Sequence, residues 1–128
     1  MDIKFKYDTK GIDWTAITET LKSVDMASYP PEIHKKAFKA SYCTIFAYSE
    51  GKMVGFRRAI SDGAYQAAIY DCAVLEEYQG HGLGKLIVKE ILANISGINT
   101  ILYASPGKEG FYEKNGIQKN KNRYGLFC

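Results

Sequence analysis

The stretch YQGHGLGK at residues 78–85 constrains the fold more than any other part of the chain. Its three alternating glycines stand between the apolar run AIYDCAVL and a lysine that is followed by LIVKEIL. Glycine weakens helices and strands because ordering its free backbone is unfavourable, so three at one junction need a reason. An apolar strand, a glycine-rich turn and an amphipathic helix in succession predict an α/β fold.

The 128 residues are expected to form one domain with the element order β, α, α, β, β, β, α, β, α, β. Alternation in IKFKY at 3–7 predicts the first strand. Asp13 is expected to cap the first helix, and Pro31 to lie in the first turn of the second. The residues expected to face the core from these helices are Trp14, Ile17, Leu21, Val24, Ile33, Ala37 and Phe38.

Residues 41–75 predict three strands joined by turns. SYCTIFAYS and MVGFRRAI, separated by EGK, indicate an antiparallel hairpin, and the Asp-Gly pair in SDG suits a turn that needs positive φ. The strand within 64–75 is nearly all apolar, so we expect it in the middle of the sheet, covered on both faces. A mixed sheet of about six or seven strands, flanked by about four helices, is expected.

The helix after the glycines is expected to end near Gly97. Residues 99–105 predict a short strand, 108–115 a helix capped by Gly116, and 117–128 one or two terminal strands. The residues expected on the buried face of the helix after the glycines are Leu83, Leu86, Ile87, Ile91 and Ile95.

Composition limits the classes of function. The net charge of +3 is mild for a nucleic-acid-binding protein, so a small anionic ligand fits better. Cys43, Cys72 and Cys128 are expected to be reduced thiols, and neither histidine lies in a metal-ligand pattern. The segment MDIKFKYD lacks the apolar core expected of a signal peptide, and no apolar stretch approaches the roughly 20 residues that cross a bilayer. We therefore expect a cytoplasmic protein without a metal.

Anion binding explains the glycines better than a turn that only needs positive φ. The first amides of a helix are unpaired and carry partial positive charge, and glycine removes the Cβ that would block a phosphate. A P-loop is excluded because Gln79 stands at its first glycine and Leu86 at its Ser/Thr position. The dinucleotide pattern G-x-G-x-x-G also fails, since it would need glycine at Lys85 or Ile87.

The pattern that fits is Q-x-x-G-x-G, formed by Gln79, Gly82 and Gly84. This segment resembles the coenzyme A pyrophosphate loop of the GNAT superfamily of acetyl-CoA-dependent N-acetyltransferases. The segment GFYEKNGI at 110–117 resembles the second motif of that superfamily. The resemblance runs from about residue 67 to residue 117, and it implies a GNAT-like fold with acetyl-CoA as cosubstrate.

The resemblance also implies how acetyl-CoA is held. Main-chain groups of the central strand would pair with the pantetheine arm, and amides of the glycine loop would hold the pyrophosphate. For His81 and Lys114 an exposed surface role is the alternative. The implied cofactor-binding residues are Cys72, Ala73, Val74, Gln79, Gly80, His81, Gly82, Leu83, Gly84, Lys85, Phe111 and Lys114.

The implied chemistry is direct attack of a primary amine on the thioester, in a complex that holds both substrates. The main-chain N–H of Val74 would stabilise the oxyanion, and Tyr112 would protonate the sulfur. A glutamate that some family members use as base is replaced here by Ala68. Asp71, the remaining carboxylate on this strand, is either a base or a structural group with a partner.

The expected function is acetylation of a small amine. One alternative is a non-catalytic coenzyme A binding module on the same fold. Another is a small nucleic-acid-binding protein, whose affinity would fall steeply with salt. Tyr124, Leu126 and Phe127 give the last strands an apolar edge that could pair in a homodimer.

Overall fold

The computed structural model describes residues 2–102 of the chain. Within this range five strands form one sheet in the order β1-β2-β3-β4-β5. Neighbouring strands are antiparallel except for β4 and β5, which are parallel. The strands are β1 Lys4–Lys6, β2 Cys43–Ser49, β3 Lys52–Ser61, β4 Gln66–Val74 and β5 Asn99–Leu102, and the α-helices are α1 Trp14–Ser23, α2 Pro31–Lys39 and α3 Leu83–Asn94.

The predicted fold class is confirmed: helices flank a mixed sheet, and the elements through β5 follow the predicted order. The helix expected at 108–115, its cap at Gly116 and the terminal strands at 117–128 lie outside the described residues. The same is true of Cys128 and of the apolar edge formed by Tyr124, Leu126 and Phe127.

Two helices cover one face of the sheet. α1 begins as predicted, because the Asp13 carboxylate accepts a hydrogen bond from the Ala16 amide at 3.1 Å. In α2 the prediction that Ile33 faces inward is wrong: Ile33 is 46% exposed and His34 only 2%. His34 and the buried Phe38 are four residues apart and share one helix face, which turns Ile33 towards solvent.

The opposite face of the sheet is covered by α3. Leu83, Ile87 and Ile91 are buried there as predicted, but Leu86 is 42% exposed and its expected burial is wrong. Val88 is buried instead, because it lies on the side of the 83–87–91 row that faces the sheet.

The core therefore has two parts, one on each side of the sheet. One part joins α3 to residues such as Ile45 and Ile69. The other joins α1 and α2 to Phe46, Phe56 and Ala73. Because β4 contributes to both, the prediction of a central strand covered on both faces is confirmed.

Gly55 on β3 is the point of closest approach between α3 and the sheet. A Cβ added here would lie 2.9 Å from Ile87 Cδ1 and 3.1 Å from the Ala73 carbonyl oxygen. Real Cβ contacts are longer than the first of these distances, so any larger residue at this position would require the Ile87 side chain or its surroundings to shift.

Both predicted turns are present. Glu50 and Gly51 have φ values of 50° and 79° between β2 and β3. At the next turn Gly63 has positive φ, while the Asp62 carboxylate accepts hydrogen bonds from three main-chain amides. The Asp-Gly pair thus forms a longer connection than a two-residue hairpin loop, because the Asp62 side chain accepts hydrogen bonds from the main-chain amides that follow Gly63.

Candidate active site

The entrance of α3 is built from backbone in a left-handed conformation. After β4 the chain makes one turn of 3₁₀ helix over Glu76–Tyr78 and then enters α3 through Gly82, which has φ 82° and ψ 1°. Gly80 also has φ 82°. A Cβ built on either glycine would meet no atom within 4 Å. The glycines are therefore needed for the backbone conformation, and the space beside them is open.

Three main-chain amides at this entrance precede the first hydrogen bond of the helix. That bond runs from the Leu86 amide to the Gly82 carbonyl oxygen at 3.1 Å, so Leu83, Gly84 and Lys85 have no carbonyl of an earlier turn to bond. The first turn of α3 carries no acidic side chain that would compete for these amides. Together with the positive end of the helix dipole, they suit an anion.

The loop before the helix is fixed to the end of β4. The Gln79 side-chain amide donates to the Val74 carbonyl oxygen at 2.9 Å. This bond brings the glutamine of the Q-x-x-G-x-G pattern against β4, the strand that the family resemblance implies would pair with the pantetheine arm. The two described groups of predicted cofactor residues, 72–74 and 79–85, therefore lie at the same end of the sheet.

A β-bulge interrupts β4 next to this site. Tyr70 lies opposite Arg58 and Ala73 opposite Phe56, so Asp71 and Cys72 together face one residue of β3. Asp71 has φ 52°, which is unusual for a residue other than glycine.

The bulge reverses the faces of β4. Ile69 packs in the core on the α3 side, while Ala73 packs on the α1 and α2 side. Side chains four residues apart in a regular strand would share one face. The extra residue at the bulge therefore changes which side chains and main-chain groups follow it on each side.

The direction of the Val74 main chain follows from the pairing after the bulge. The Leu75 amide donates to the Val54 carbonyl oxygen of the neighbouring chain segment at 2.9 Å. Hydrogen-bonding positions alternate along an antiparallel strand, so the N–H and C=O of Val74 point away from β3. The bond that Val74 accepts from Gln79 agrees with this direction.

Asp71 is paired with a cation. Arg58 Nε donates to Asp71 Oδ2 at 2.5 Å, and Arg58 Nη1 donates to Ser41 Oγ at 3.3 Å. The two charged side chains are only 16% and 23% exposed. The guanidinium carbon lies 5.7 Å from the Phe38 ring centroid and 5.6 Å from that of Tyr70. The structure thus provides Asp71 with the structural partner that the sequence left open.

The family model for the acetyltransferase (GNAT) domain matches residues 40–118, more than half of the chain. The protein belongs to the GNAT acetyltransferase family. The uncharacterized N-acetyltransferase ycf52 of Porphyra purpurea is 32% identical to it over 120 residues, which are 88% of this chain and 69% of that protein.

Two further comparisons show proteins to which this GNAT protein is similar. Serotonin N-acetyltransferase 2, chloroplastic, of Oryza sativa subsp. japonica is 31% identical over 114 residues, 84% of this chain and 57% of that protein. The solved structure of SA2161 from meticillin-resistant Staphylococcus aureus superposes with a TM-score of 0.84 and 24% identity. That match covers 99% of this chain and 98% of the other, and it shows that the two share a fold.

Sequence reasoning missed two arginines and a histidine of this GNAT domain. The signal for the arginines was the RR pair in the otherwise apolar MVGFRRAI. Arg57 is buried, and its Nη2 donates to Cys72 Sγ. Neither Cys43 nor Cys72 forms a disulfide bond within residues 2–102.

His34 lies buried on α2, close enough to the Arg58 and Asp71 pair for their charges to affect it. Its Nε2 accepts a hydrogen bond from the Tyr29 amide at 2.9 Å. Burial lowers the pKa of His34, the Asp71 carboxylate opposes this shift, and the Arg58 charge adds to it. No periodic pattern indicated this position, since a lone histidine on a helix gives no such signal.

Several predicted features are not tested by the described residues. Tyr112, Phe111 and Lys114 lie outside them, so their roles stay predictions. His81 and Lys85 are exposed at the α3 entrance, where either could contact an anion. Homodimer formation stays a prediction as well.

Residues 2–102 contain no group of three or more His, Cys, Asp or Glu side chains that could hold a metal ion. None of the helices in this range is long and apolar enough to span a bilayer. The cytoplasmic location stays a prediction, and the name of the rice relative places that protein in the chloroplast.

Proposed function

We propose that this GNAT protein transfers the acetyl group of acetyl-CoA to a primary amine, by direct attack in a complex that holds both substrates. Family membership supports the reaction class. The observation that carries the proposal is the open glycine entrance of α3, which lies beside a strand whose Val74 amide points away from its β3 neighbour.

The described residues fit the coenzyme. Amides between Gly80 and Lys85 would hold the pyrophosphate, and the Lys85 charge would add to the helix dipole. Main-chain groups of Cys72, Ala73 and Val74 would bind the pantetheine arm. No Cβ occupies the space beside Gly80 and Gly82, as an approaching phosphate requires. When bound, acetyl-CoA supplies an activated acetyl group and a thiolate leaving group.

Two groups of the chain would assist the transfer. The Val74 N–H would donate to the carbonyl oxygen on which negative charge develops. Tyr112 would donate its phenolic proton to the departing sulfur, and the proton that the amine nitrogen releases as the amide forms would restore the phenol. The main-chain N–H of Val74 and the phenolic O–H of Tyr112 are the hydrogen-bond donors that these two roles require.

We propose a small primary amine as acceptor. The name of the rice relative, serotonin N-acetyltransferase, makes an arylalkylamine the first acceptor to test. This chain spans 57% of the length of that relative, so its substrate is carried over here only as a proposal.

A thiol-release assay with acetyl-CoA and a panel of amines tests the function. The panel contains serotonin, a polyamine, an amino acid and a peptide with a free N-terminus. We expect turnover with at least one amine, and a loss of kcat of roughly 100-fold in Tyr112→Phe. Tyr65→Phe is the control, because Tyr65 is exposed on the turn before β4.

Calorimetry with coenzyme A separates the other outcomes. Coenzyme A binding without turnover of any amine would support the non-catalytic module instead. Absence of both binding and turnover would contradict the proposed function.

A further inference from the structure

We infer that the ion pair between Arg58 and Asp71 holds the β4 bulge in place, so that Asp71 positions the Val74 amide and does not act as the general base. The kinetic part of this inference rests on the proposed function. The structural part concerns the register of β3 and β4 and can be tested without any substrate.

Asp71 occupies a conformation that needs support. With φ 52° in the middle of a strand its backbone is in the left-handed region, which is unfavourable for a residue other than glycine and which surrounding contacts must offset. Its carboxylate is bound by Arg58, which lies opposite Tyr70, the residue just before the bulge. The ion pair therefore connects the strained residue to the neighbouring strand at the point where the register changes.

Arg58 is itself held from several sides. Its guanidinium lies near the rings of Phe38 on α2 and Tyr70 on β4, and it donates to Ser41 between α2 and β2. Cation–π contacts and a planar guanidinium leave few alternative positions for the group. The carboxylate of Asp71 is thus bound to a cation that also contacts α2, the α2–β2 connection and Tyr70 on β4.

The bulge decides which amide of β4 faces away from β3. The Ala59 carbonyl oxygen accepts a hydrogen bond from the Tyr42 amide, so the main-chain groups of Ala59 face β2. Because hydrogen-bonding positions alternate along a strand, the main-chain groups of Arg58 face β4, where Arg58 lies opposite Tyr70. Continued without a bulge, that alternation would direct Val74 towards β3. The bulge shifts the bonding positions by one residue, and the Val74 N–H faces away instead.

The same contact argues against a role as base. Asp71 Oδ2 already accepts from Arg58 Nε at 2.5 Å. To take a proton from an amine at this oxygen, the carboxylate would have to break the ion pair in a site that is largely shielded from water.

Three substitutions separate the two roles. Asp71→Asn removes the charge but keeps a side chain that tolerates positive φ and can accept from Arg58. Asp71→Gly keeps the φ without the ion pair, and Asp71→Ala loses both. Glu50→Ala is the matched control, because Glu50 also has positive φ, at 50°, in a turn outside the site.

NMR contacts across β3 and β4 give the first readout, which needs no activity. In the wild type Ala73 lies opposite Phe56. We expect Asp71→Asn to keep this register and Asp71→Ala to weaken or shift it. An unchanged register in Asp71→Ala would overturn the inference.

Kinetics with acetyl-CoA give the second readout. We expect kcat to fall by about tenfold or more in Asp71→Ala, with the acetyl-CoA KM changed less than about threefold, and to fall less than about threefold in Asp71→Asn. Glu50→Ala should match the wild type. A loss of about 100-fold or more in Asp71→Asn with the register intact would identify Asp71 as the base and overturn the inference. An inactive wild type would defeat the proposed function, while the NMR register would still decide the role of the ion pair.

Discussion

Helices α1 and α3 begin in opposite ways. The entrance of α1 is capped by the side chain of Asp13, whose carboxylate accepts a hydrogen bond from the Ala16 amide. The entrance of α3 is formed by Gly82, which offers no side chain, and the space beside it is open. A helix needs partners for its first amides, so an entrance without an internal cap leaves that place to water or to a ligand.

The two kinds of helix start serve different purposes. A capped start stabilises the fold, with a typical contribution of about 1 kcal/mol. An open glycine start gives up that stabilisation and presents unpaired amides with the positive end of the helix dipole. Substitutions at each entrance test this contrast directly.

Blocking the open entrance should have the largest effect. In Gly82→Val a β-branched side chain would have to adopt φ 82° and would project into the space beside the loop. We expect the affinity for coenzyme A, measured by calorimetry, to fall roughly 100-fold. Gly97→Val is the control at the other end of the same helix, because Gly97 has φ 84° and equally open surroundings. Equal affinity of both variants would show that the entrance does not bind the coenzyme.

Disturbing the support beneath α3 should have the next largest effect. In Gly55→Ala the new Cβ meets Ile87 Cδ1 at 2.9 Å, so either the Ile87 side chain or helix α3 must shift. We expect the free energy of unfolding in urea to fall by about 1–3 kcal/mol. Adding Ile87→Val removes Cδ1 and should recover part of the loss. No recovery in the double variant would show that the Ala73 carbonyl contact, at 3.1 Å, dominates.

Opening the closed entrance should have a smaller effect. Asp13→Ala removes the acceptor for the Ala16 amide, and we expect a loss of about 1 kcal/mol in the free energy of unfolding. Asp13→Asn keeps an acceptor and should lose much less. Coenzyme A affinity should stay unchanged in both variants. A loss of affinity in Asp13→Ala would contradict the separation of the two entrances.

The pH dependence of His34 should give the smallest effect. Burial lowers the pKa of His34, so the folded state holds the neutral form while the unfolded state binds a proton below about pH 6.5. This contribution to stability is complete above that pH and is lost as pH falls from there through the folded pKa. Between pH values of about 7.5 and 5.5 the wild type should therefore lose more stability than His34→Gln, as followed by thermal unfolding. Equal losses would show that His34 does not contribute.

Most elements of the described part could be predicted because their signals are local. The Asp13 cap, the EGK turn and the glycine entrance depend on residues next to one another in the chain. The predictions of buried residues were wrong at one position in each of two helices, where the helix is rotated about its axis relative to the predicted orientation. Ile33 and Leu86 fit an apolar face as well as His34 and Val88 do by spacing alone, and only packing against the sheet shows which of them is buried.

The candidate site could likewise be predicted only in part. The anion-binding entrance could be predicted because glycine spacing sets both its backbone conformation and its free amides. The β4 bulge could not, because AIYDCAVL is apolar on both sides of Asp71 and contains no signal for a change of register. Nor did the RR pair indicate its partners, which lie on α2 and β4.

The sequence by itself determined where helices and strands begin, which strand is central and where a phosphate could meet free amides, since each depends on near neighbours and on hydrophobic period. Only the tertiary structure decided that Arg58 meets Asp71, that β4 changes register there, and that the Val74 amide consequently points away from β3. The physical reason is that strand pairing joins residues distant in the chain, and a single extra residue in one strand reverses every later orientation.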